Sequence, residues 1–184
     1  MERRSVLRSF LAALAFQGRG ANAQARKDAI VVPAGEDHLL LEKWSASTIN
    51  PCKLSDRDTN GAMAVFGGER GGPYTGIPLH IHHDQDEWWY IAEGEYVIQV
   101  GDRKIHAKAG DFVFGPRGVP HSPRRLTAGA NLTVFQPAGT MEEFFHSSAE
   151  MRQKGERATY PPNEGMAELW RKHGMEIVGP PVEP

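Results

Sequence analysis

The chain has 184 residues, of which 40% are hydrophobic and 24% are charged, and this composition is that of an ordinary soluble protein with one domain. Its formal charge of −2 provides no basic surface, so neither nucleic acid nor a membrane surface is expected as a partner. The 20 glycines and 13 prolines are spread along the chain, which favours a β architecture with many tight turns over a helical one.

Residues 1–23 are typical of an export signal. Arg3 and Arg4 resemble the twin-arginine pair of bacterial signals, an apolar run follows at residues 10–16, and residues 21–23 (Ala-Asn-Ala) are small enough for a cleavage site. The apolar run is much shorter than the roughly 20 residues that span a bilayer. We therefore expect a periplasmic or secreted protein. The alternative is a cytoplasmic protein with an amphipathic N-terminus.

Residues 24–140 contain short hydrophobic segments separated by turns, and this spacing predicts the strands of a sandwich or barrel. Phe112 and Phe114 alternate with Val113, and we expect both phenylalanines in the barrel core. Cys52 is the only cysteine, so it cannot form an intramolecular disulfide and is expected as a small half-buried residue. The candidate strands are residues 38–44, 62–68, 78–82, 87–92, 96–100, 104–109, 111–115, 119–126 and 131–137.

The C-terminal part of the chain has a different pattern. Residues 141–151 and 165–174 carry hydrophobic residues at helical spacing, and Gly174 suits the end of the second helix. Helices of this length are not stable alone in water. We therefore expect residues 141–184 to form a helical extension that packs against the barrel.

The segment PLHIHHDQDEWWY, at residues 78–90, concentrates histidines and acids in one place. Alternate residues of a strand face the same side, so His80 and His82 share one space about 7 Å apart at Cα, while His83 points away and is expected at the surface. Glu87 opens the next strand, and His121 follows a later turn. Three imidazoles and one carboxylate suit Fe(II), Mn(II), Ni(II), Co(II) or Zn(II).

Other aromatic and imidazole side chains near this segment have less specific roles. Trp89 lies on the same strand face as Glu87, where it either packs in the core or contacts a substrate; both alternatives stay open. Four further histidines have no partner in the sequence pattern and are expected as surface or capping residues: His38, His106, His146 and His173.

Two spaced motifs resemble those of the cupin superfamily. HIHHDQDEWWYIAEG has His-x-His, four residues, Glu, six residues and Gly, and GDFVFGPRGVPH has Gly, five residues, Pro-x-Gly, two residues and His. Residues 56–146 as a whole resemble single-domain cupins related to quercetin 2,3-dioxygenase. The matching positions are His80, His82, Glu87 and Gly94 in the first motif, and Gly110, Pro116, Gly118 and His121 in the second.

The resemblance implies an all-β fold, a double-stranded β-helix or jelly-roll barrel with C-terminal helices, which is often a homodimer. It also implies a metal held by His80, His82, Glu87 and His121. Two positions depart from the family pattern: Tyr74 replaces the leading Gly of the first motif, and Arg125 replaces the closing Asn of the second. Neither is a ligand position, but Arg125 puts the transfer of a substrate from the family in doubt.

The function implied is a metal-dependent dioxygenase that acts on a flavonol-like or other enolisable aromatic small molecule together with O₂. Glu87 would act both as a metal ligand and as the base that takes the substrate proton. The alternatives are an isomerase or decarboxylase on the same ligands, and a small-molecule binding protein without turnover. Export of the folded protein would let the barrel close around Mn or Fe before copper and zinc compete, so we favour these two metals.

Overall fold

The computed structural model describes residues 28–41 and 50–184, so the expected export signal at residues 1–23 lies outside the described part of the chain. Within that part, no helix is both long and apolar enough to cross a membrane. The elements are, in chain order, α1 (His38–Leu41), β1 (Cys52–Leu54), α2 (Asp56–Thr59), β2 (Ala64–Gly67), β3 (Leu79–His82), β4 (Asp86–Glu93), β5 (Glu95–Val100), β6 (Arg103–Lys108), β7 (Phe112–Gly115), β8 (His121–Arg125), β9 (Ala130–Gln136), α3 (Met141–Gln153), α4 (Glu164–Lys172) and β10 (Met175–Gly179).

The strands form two five-stranded antiparallel sheets, in the orders β1-β2-β9-β4-β7 and β10-β3-β8-β5-β6. Most strands that are neighbours in a sheet come from distant parts of the chain, as in β2 with β9 and β3 with β8, whereas β5 and β6 are consecutive. This is the predicted jelly-roll architecture, and the all-β fold class with C-terminal helices is confirmed. All the strands predicted between residues 62 and 137 form, with ends shifted by at most two residues.

Two hydrophobic clusters hold the barrel together. One lies between the sheets and joins Trp89 and Ile91 of β4 to Tyr96 and Ile98 of β5. Burying each isoleucine contributes about 1.5–3 kcal/mol. The other cluster packs α3 and α4 against β2, β9 and β10 and includes Cys52, which is fully buried rather than half-buried. Burial raises the pKa of its thiol.

The prediction that Phe112 and Phe114 lie in the core was wrong. Their exposed fractions are 55% and 52%, while Val113 between them is buried. The register of β7 with β4 places Val113 beside Trp89 and the two phenylalanines beside outward-facing residues of β4. A period of two tells which residues share a face, but only the sheet pairing decides which face is inside.

The strand predicted at residues 38–44 was also wrong where the structure describes it, because residues 38–41 form the short helix α1. The side chain of Asp37 accepts a hydrogen bond from the backbone N–H of Leu39 at 2.9 Å and so favours the helix start. His38, expected as a surface or capping residue, is buried with its Nε2 2.7 Å from Oδ2 of Asp58. Short apolar runs do not distinguish helix from strand.

The C-terminal part contains both helices and one strand that no sequence pattern predicted. Helices α3 and α4 lie at the predicted places, and α4 begins at an Asn163 cap whose side chain accepts from the Met166 N–H. Strand β10 then pairs with β3, so that Met175 lies opposite His82 and Ile177 opposite His80. The end of the chain therefore covers the edge of the strand that carries two of the candidate ligands.

Candidate metal centre

The four candidate ligands come from three strands in both sheets. His80 and His82 lie on β3, and His121 begins β8, which pairs with β3 so that His80 is opposite His121. Glu87 projects from β4 in the other sheet. All four residues are buried, with exposed fractions of 4% or less. The site therefore bridges the two sheets in the barrel interior.

The donor atoms of these side chains converge. Oε2 of Glu87 lies 3.0 Å from Nε2 of His121, 3.2 Å from Nε2 of His82 and 3.6 Å from Nε2 of His80. One ligand atom from each of the four residues lies within 4.8 Å of all the others. This spacing leaves a common centre at which a single cation could be held.

The outward-facing nitrogen of each imidazole is held by an oxygen. Nδ1 of His80 lies 2.8 Å from the carbonyl of Pro78, and Nδ1 of His121 lies 3.0 Å from the carbonyl of Val119. A carbonyl oxygen only accepts, so each Nδ1 carries the hydrogen. The lone pair of each neutral imidazole is therefore on Nε2, which faces Glu87.

Gln85 plays the same part for the third imidazole. Its Oε1 lies 3.2 Å from Nδ1 of His82, while its Nε2 donates to the carbonyls of Ala138 at 2.7 Å and Pro137 at 3.3 Å. The two donated bonds fix which end of the amide faces the histidine. No motif drew attention to Gln85 in the sequence. Only its position three residues after His82, in the turn before Glu87, could have suggested the role.

This arrangement fits a divalent transition metal ion. Three nitrogen lone pairs and a carboxylate oxygen facing one point repel one another unless a cation lies between them. A proton on His80 is a poor substitute, because burial, with a smaller contribution from the neighbouring His121, lowers the His80 pKa to about 4. Burial by itself would raise the pKa of Glu87, but the three imidazoles around its carboxylate hold that pKa well below its ordinary value. The donor set suits such ions, and ligand histidines typically have outer partners of this kind.

A cavity of about 490 Å³ opens beside the candidate ligands and is within the size range of small-molecule sites. His80, His82 and Glu87 form one part of its wall. Trp89 packs in the core, with its ring centroid 5.4 Å from that of His121, and it also lines the cavity, so contact with a substrate stays a prediction.

Helices α3 and α4 form another wall of the cavity. Trp170 of α4 packs edge-on against His80 with ring centroids 5.0 Å apart, and Phe144 of α3 packs against Trp170 at 5.3 Å. Met166, one turn before Trp170, lines the same cavity. The sequence showed the helical spacing of Met166 and Trp170, but the contact with His80 depends on how the helix docks.

The two departures from the family pattern lie together in the structure. The guanidinium carbon of Arg125 lies 5.3 Å from the centre of the Tyr74 ring, and both residues line the cavity. Arg125 also donates to the carbonyls of Gly72 at 2.8 Å and Gly129 at 3.0 Å. A cation is therefore fixed in the cavity wall, and its position is set by backbone contacts and the aromatic ring.

The remaining histidines lie away from the centre. His83 points outward as expected, with its side chain 51% exposed and its Nε2 3.7 Å from Glu176. His106 is exposed, whereas His173 is buried at the end of α4 with its Nδ1 2.7 Å from the hydroxyl of Thr140. The capping role expected for His173 therefore fits, but a surface position does not.

Comparison with known proteins agrees with the motifs. Residues 71–135 match the family model described as a cupin domain. A segment of 68 residues is 35% identical to 3-hydroxyanthranilate 3,4-dioxygenase of Xanthomonas campestris, covering 35% of this chain and 38% of that protein. A segment of 94 residues is 23% identical to quercetin 2,3-dioxygenase of Bacillus subtilis, covering 51% of this chain and 28% of that protein.

The matched segments thus span well under half the length of these two dioxygenases. Among solved structures, a predicted oxalate decarboxylase from Thermotoga maritima is similar over 59% of this chain and 99% of its own, with 24% identity and a TM-score of 0.47. The family match contains all four converging side chains and confirms the cupin resemblance. Residues 71–135 of this chain therefore match the cupin domain, within a barrel whose strands extend beyond them on both sides.

Proposed function

We propose that the protein is a metal-dependent dioxygenase that acts on a hydroxylated, enolisable aromatic compound with O₂ as the second substrate. The observation that carries the proposal is the convergence of three imidazole nitrogens and the Glu87 carboxylate beside a cavity of about 490 Å³. The likeness to two dioxygenases of aromatic compounds supports it. A divalent ion at this centre, with Mn or Fe favoured, would supply Lewis acidity and a place for both substrates to meet.

The four candidate ligands have two different roles in this proposal. His80, His82 and His121 hold the ion, and their outer hydrogen bonds keep each Nε2 aimed at the centre. Glu87 is a ligand that also lines the cavity, so its carboxylate can take the proton of a substrate hydroxyl. The loss of that proton makes the aromatic ring electron-rich enough for oxidation.

The cavity wall suits an aromatic ring with a polar substituent. Trp89, Phe135, Phe144 and Trp170 provide apolar surface that excludes water from the reacting groups. Arg125 provides a cation in the same cavity, where the family pattern has Asn. This favours an aromatic acid of the 3-hydroxyanthranilate class, while a flavonol remains the other member of the substrate panel.

We also propose that the protein is exported and forms a homodimer. The export proposal rests on the pattern of residues 1–23. The homodimer is supported by the outer face of β4 and β7, where Tyr90, Phe112 and Phe114 are 44%, 55% and 52% exposed. Aromatic residues on an edge strand are a typical surface for association, and a second copy would cover them with the same face.

Oxygen consumption by metal-loaded protein tests the function. Protein loaded separately with Mn, Fe and Zn is supplied with 3-hydroxyanthranilate, quercetin and simple phenols, and O₂ uptake is followed with an electrode. We expect steady uptake with Mn or Fe and at least one hydroxylated aromatic. Tight binding of these compounds with no uptake under any metal would overturn the proposal in favour of a binding protein.

A further inference from the structure

We infer that Arg152 and Arg157 form a cationic entrance through which the cavity takes up its ligand as an anion. The inference deepens and rests on the proposed function, because it names the charge of the aromatic substrate. Both arginines line the same cavity as the candidate metal ligands, yet both are exposed to solvent. They lie where α3 ends and the connection to α4 begins.

One face of α3 connects the metal centre to this entrance. Phe144, Ser148 and Arg152 are spaced four residues apart, so they lie on the same side of the helix, and all three line the cavity. At 1.5 Å per residue, the backbone rises about 12 Å between Phe144 and Arg152. Phe144 contacts Trp170, which contacts His80. The lining therefore changes from apolar beside the metal centre to cationic at the C-terminal end of α3.

The charges of these two arginines are not neutralised within the described part of the chain, where neither has an ion pair or a side-chain hydrogen bond. Other arginines are paired: Arg117 with Asp86 at 2.8 Å and Arg70 with Glu93 at 2.9 Å. The acids nearest in sequence are Glu156, which also lines the cavity and accepts from Asn163 at 3.4 Å, and Glu150, which lies 3.4 Å from Nε2 of His146.

The helix dipole explains only part of this arrangement. A cation in the last turn of α3 interacts favourably with the partial negative charge at the helix end, which accounts for Arg152. Arg157 lies beyond the helix, so the dipole does not account for it. Two unpaired cations at the entrance of a low-dielectric cavity, in a chain of net charge −2, attract anions toward that opening.

The distance along α3 indicates at which step the entrance acts. A single-ring aromatic acid bound at the metal centre is too short to reach back along about 12 Å of helix, and Arg125 already supplies a cation in the inner wall. Arg152 and Arg157 therefore act while the ligand enters, which raises the association rate more than it lowers the dissociation rate.

Rapid-mixing binding kinetics under argon test this inference without turnover. Metal-loaded protein is mixed with 3-hydroxyanthranilate or with its uncharged methyl ester, and quenching of tryptophan fluorescence reports arrival beside Trp89 and Trp170. In the double variant R152Q/R157Q we expect the association rate constant of the acid to fall roughly tenfold at low ionic strength, with no change for the ester. The rate for the unchanged protein should fall as salt is added.

Arg103 provides the matched control, since it is exposed at the start of β6 and does not line the cavity. R103Q should bind both compounds at the original rates. Equal association rates of the acid in R152Q/R157Q and the unchanged protein, or equal losses for acid and ester, would overturn the inference, as would failure of the acid to bind at all. Binding that follows the expected pattern without O₂ uptake in air would overturn the dioxygenase proposal alone.

Discussion

His80 on β3 lies directly opposite His121 on β8, and the centroids of the two imidazole rings are 4.5 Å apart. The backbone register of one sheet therefore fixes two of the candidate ligands relative to each other. His82, two residues further along β3, brings the third imidazole to the same side. Glu87 approaches from the opposing sheet, so the completeness of the site depends on how the two sheets pack.

Replacing Glu87 tests the centre most directly. Glu87→Gln keeps the size of the side chain but removes the anionic oxygen that faces the three Nε2 atoms. We expect metal affinity to fall by more than the 10- to 100-fold that is typical when an outer partner of a ligand is lost, and O₂ uptake to cease. Elemental analysis after dialysis gives the metal content. His83→Ala is the control and should keep full metal, since His83 faces outward; a fully loaded Glu87→Gln protein would contradict the assignment.

Gln85 should affect the metal through His82. In Gln85→Leu, Nδ1 of His82 loses its acceptor, and the carbonyl of Ala138 loses a donor. We expect metal affinity to fall roughly 10- to 100-fold while the four ligands stay in place. Competition with a fluorescent chelator measures the affinity, and thermal unfolding of the metal-free protein reports any general loss of stability. Gln153→Leu at the exposed end of α3 is the control, and equal affinities for the two variants would show that Gln85 does not position the ligand.

Arg125 should distinguish acidic from uncharged substrates. A hydrogen bond between a guanidinium and a carboxylate contributes about 1.5–3 kcal/mol, so Arg125→Gln should raise KM for 3-hydroxyanthranilate roughly 10- to 100-fold. KM for its methyl ester and for quercetin should change little. Arg124→Gln is a matched control, because Arg124 pairs with Glu183 and does not line the cavity. Equal effects on acid and ester would mean that Arg125 serves only to hold the backbone at Gly72 and Gly129.

The buried histidine at the end of α4 should contribute to acid sensitivity. Burial, together with the charge of Lys172, lowers the pKa of His173 below its ordinary value of 6.5. The unfolded chain therefore binds a proton at a higher pH than the folded chain does. The contribution of His173 to the free energy of unfolding is therefore present above about pH 6.5. It is lost as the pH falls toward the pKa of His173 in the folded protein.

His173→Asn keeps a hydrogen-bonding group near Thr140 and removes the titration. In the metal-free protein, the decline in the free energy of unfolding from pH 7 to pH 5 should be smaller in this variant than in the original. Urea unfolding at a series of pH values measures the free energy of unfolding of both proteins. Some decline should persist because His80, whose pKa is about 4, is also protonated on unfolding. Identical declines in the two proteins would exclude His173 as a contributor.

The outer aromatic face should determine the oligomeric state. Phe112→Ser with Phe114→Ser removes two half-exposed rings from the edge strand β7 and leaves the inward-facing Val113 unchanged. We expect the dimer to become a monomer with little loss of folding stability, because neither ring is in the core. Sedimentation velocity measures the mass of the original protein and of the double variant. A monomeric original protein, or a double variant that remains dimeric, would contradict the proposed interface.

The sequence by itself determined the strands between residues 62 and 137 and the identity of the converging side chains. Strand alternation places His80 and His82 on one side whatever the details of the fold, and the motif spacing places Glu87 and His121 at strand starts next to short turns. These are local or short-range rules. The second motif was joined to the first through a family resemblance, because sequence spacing alone does not show that β8 lies beside β3.

Tertiary structure decided what surrounds the centre. The direction in which Phe112 and Phe114 point depends on the pairing of β7 with β4, and the burial of His38 depends on its contact with Asp58, twenty residues away. The approach of Trp170 to His80 depends on how α4 docks. Each of these outcomes is set by the free energy of packing between distant segments, and a local pattern of hydrophobic residues contains no information about which partner a face will meet.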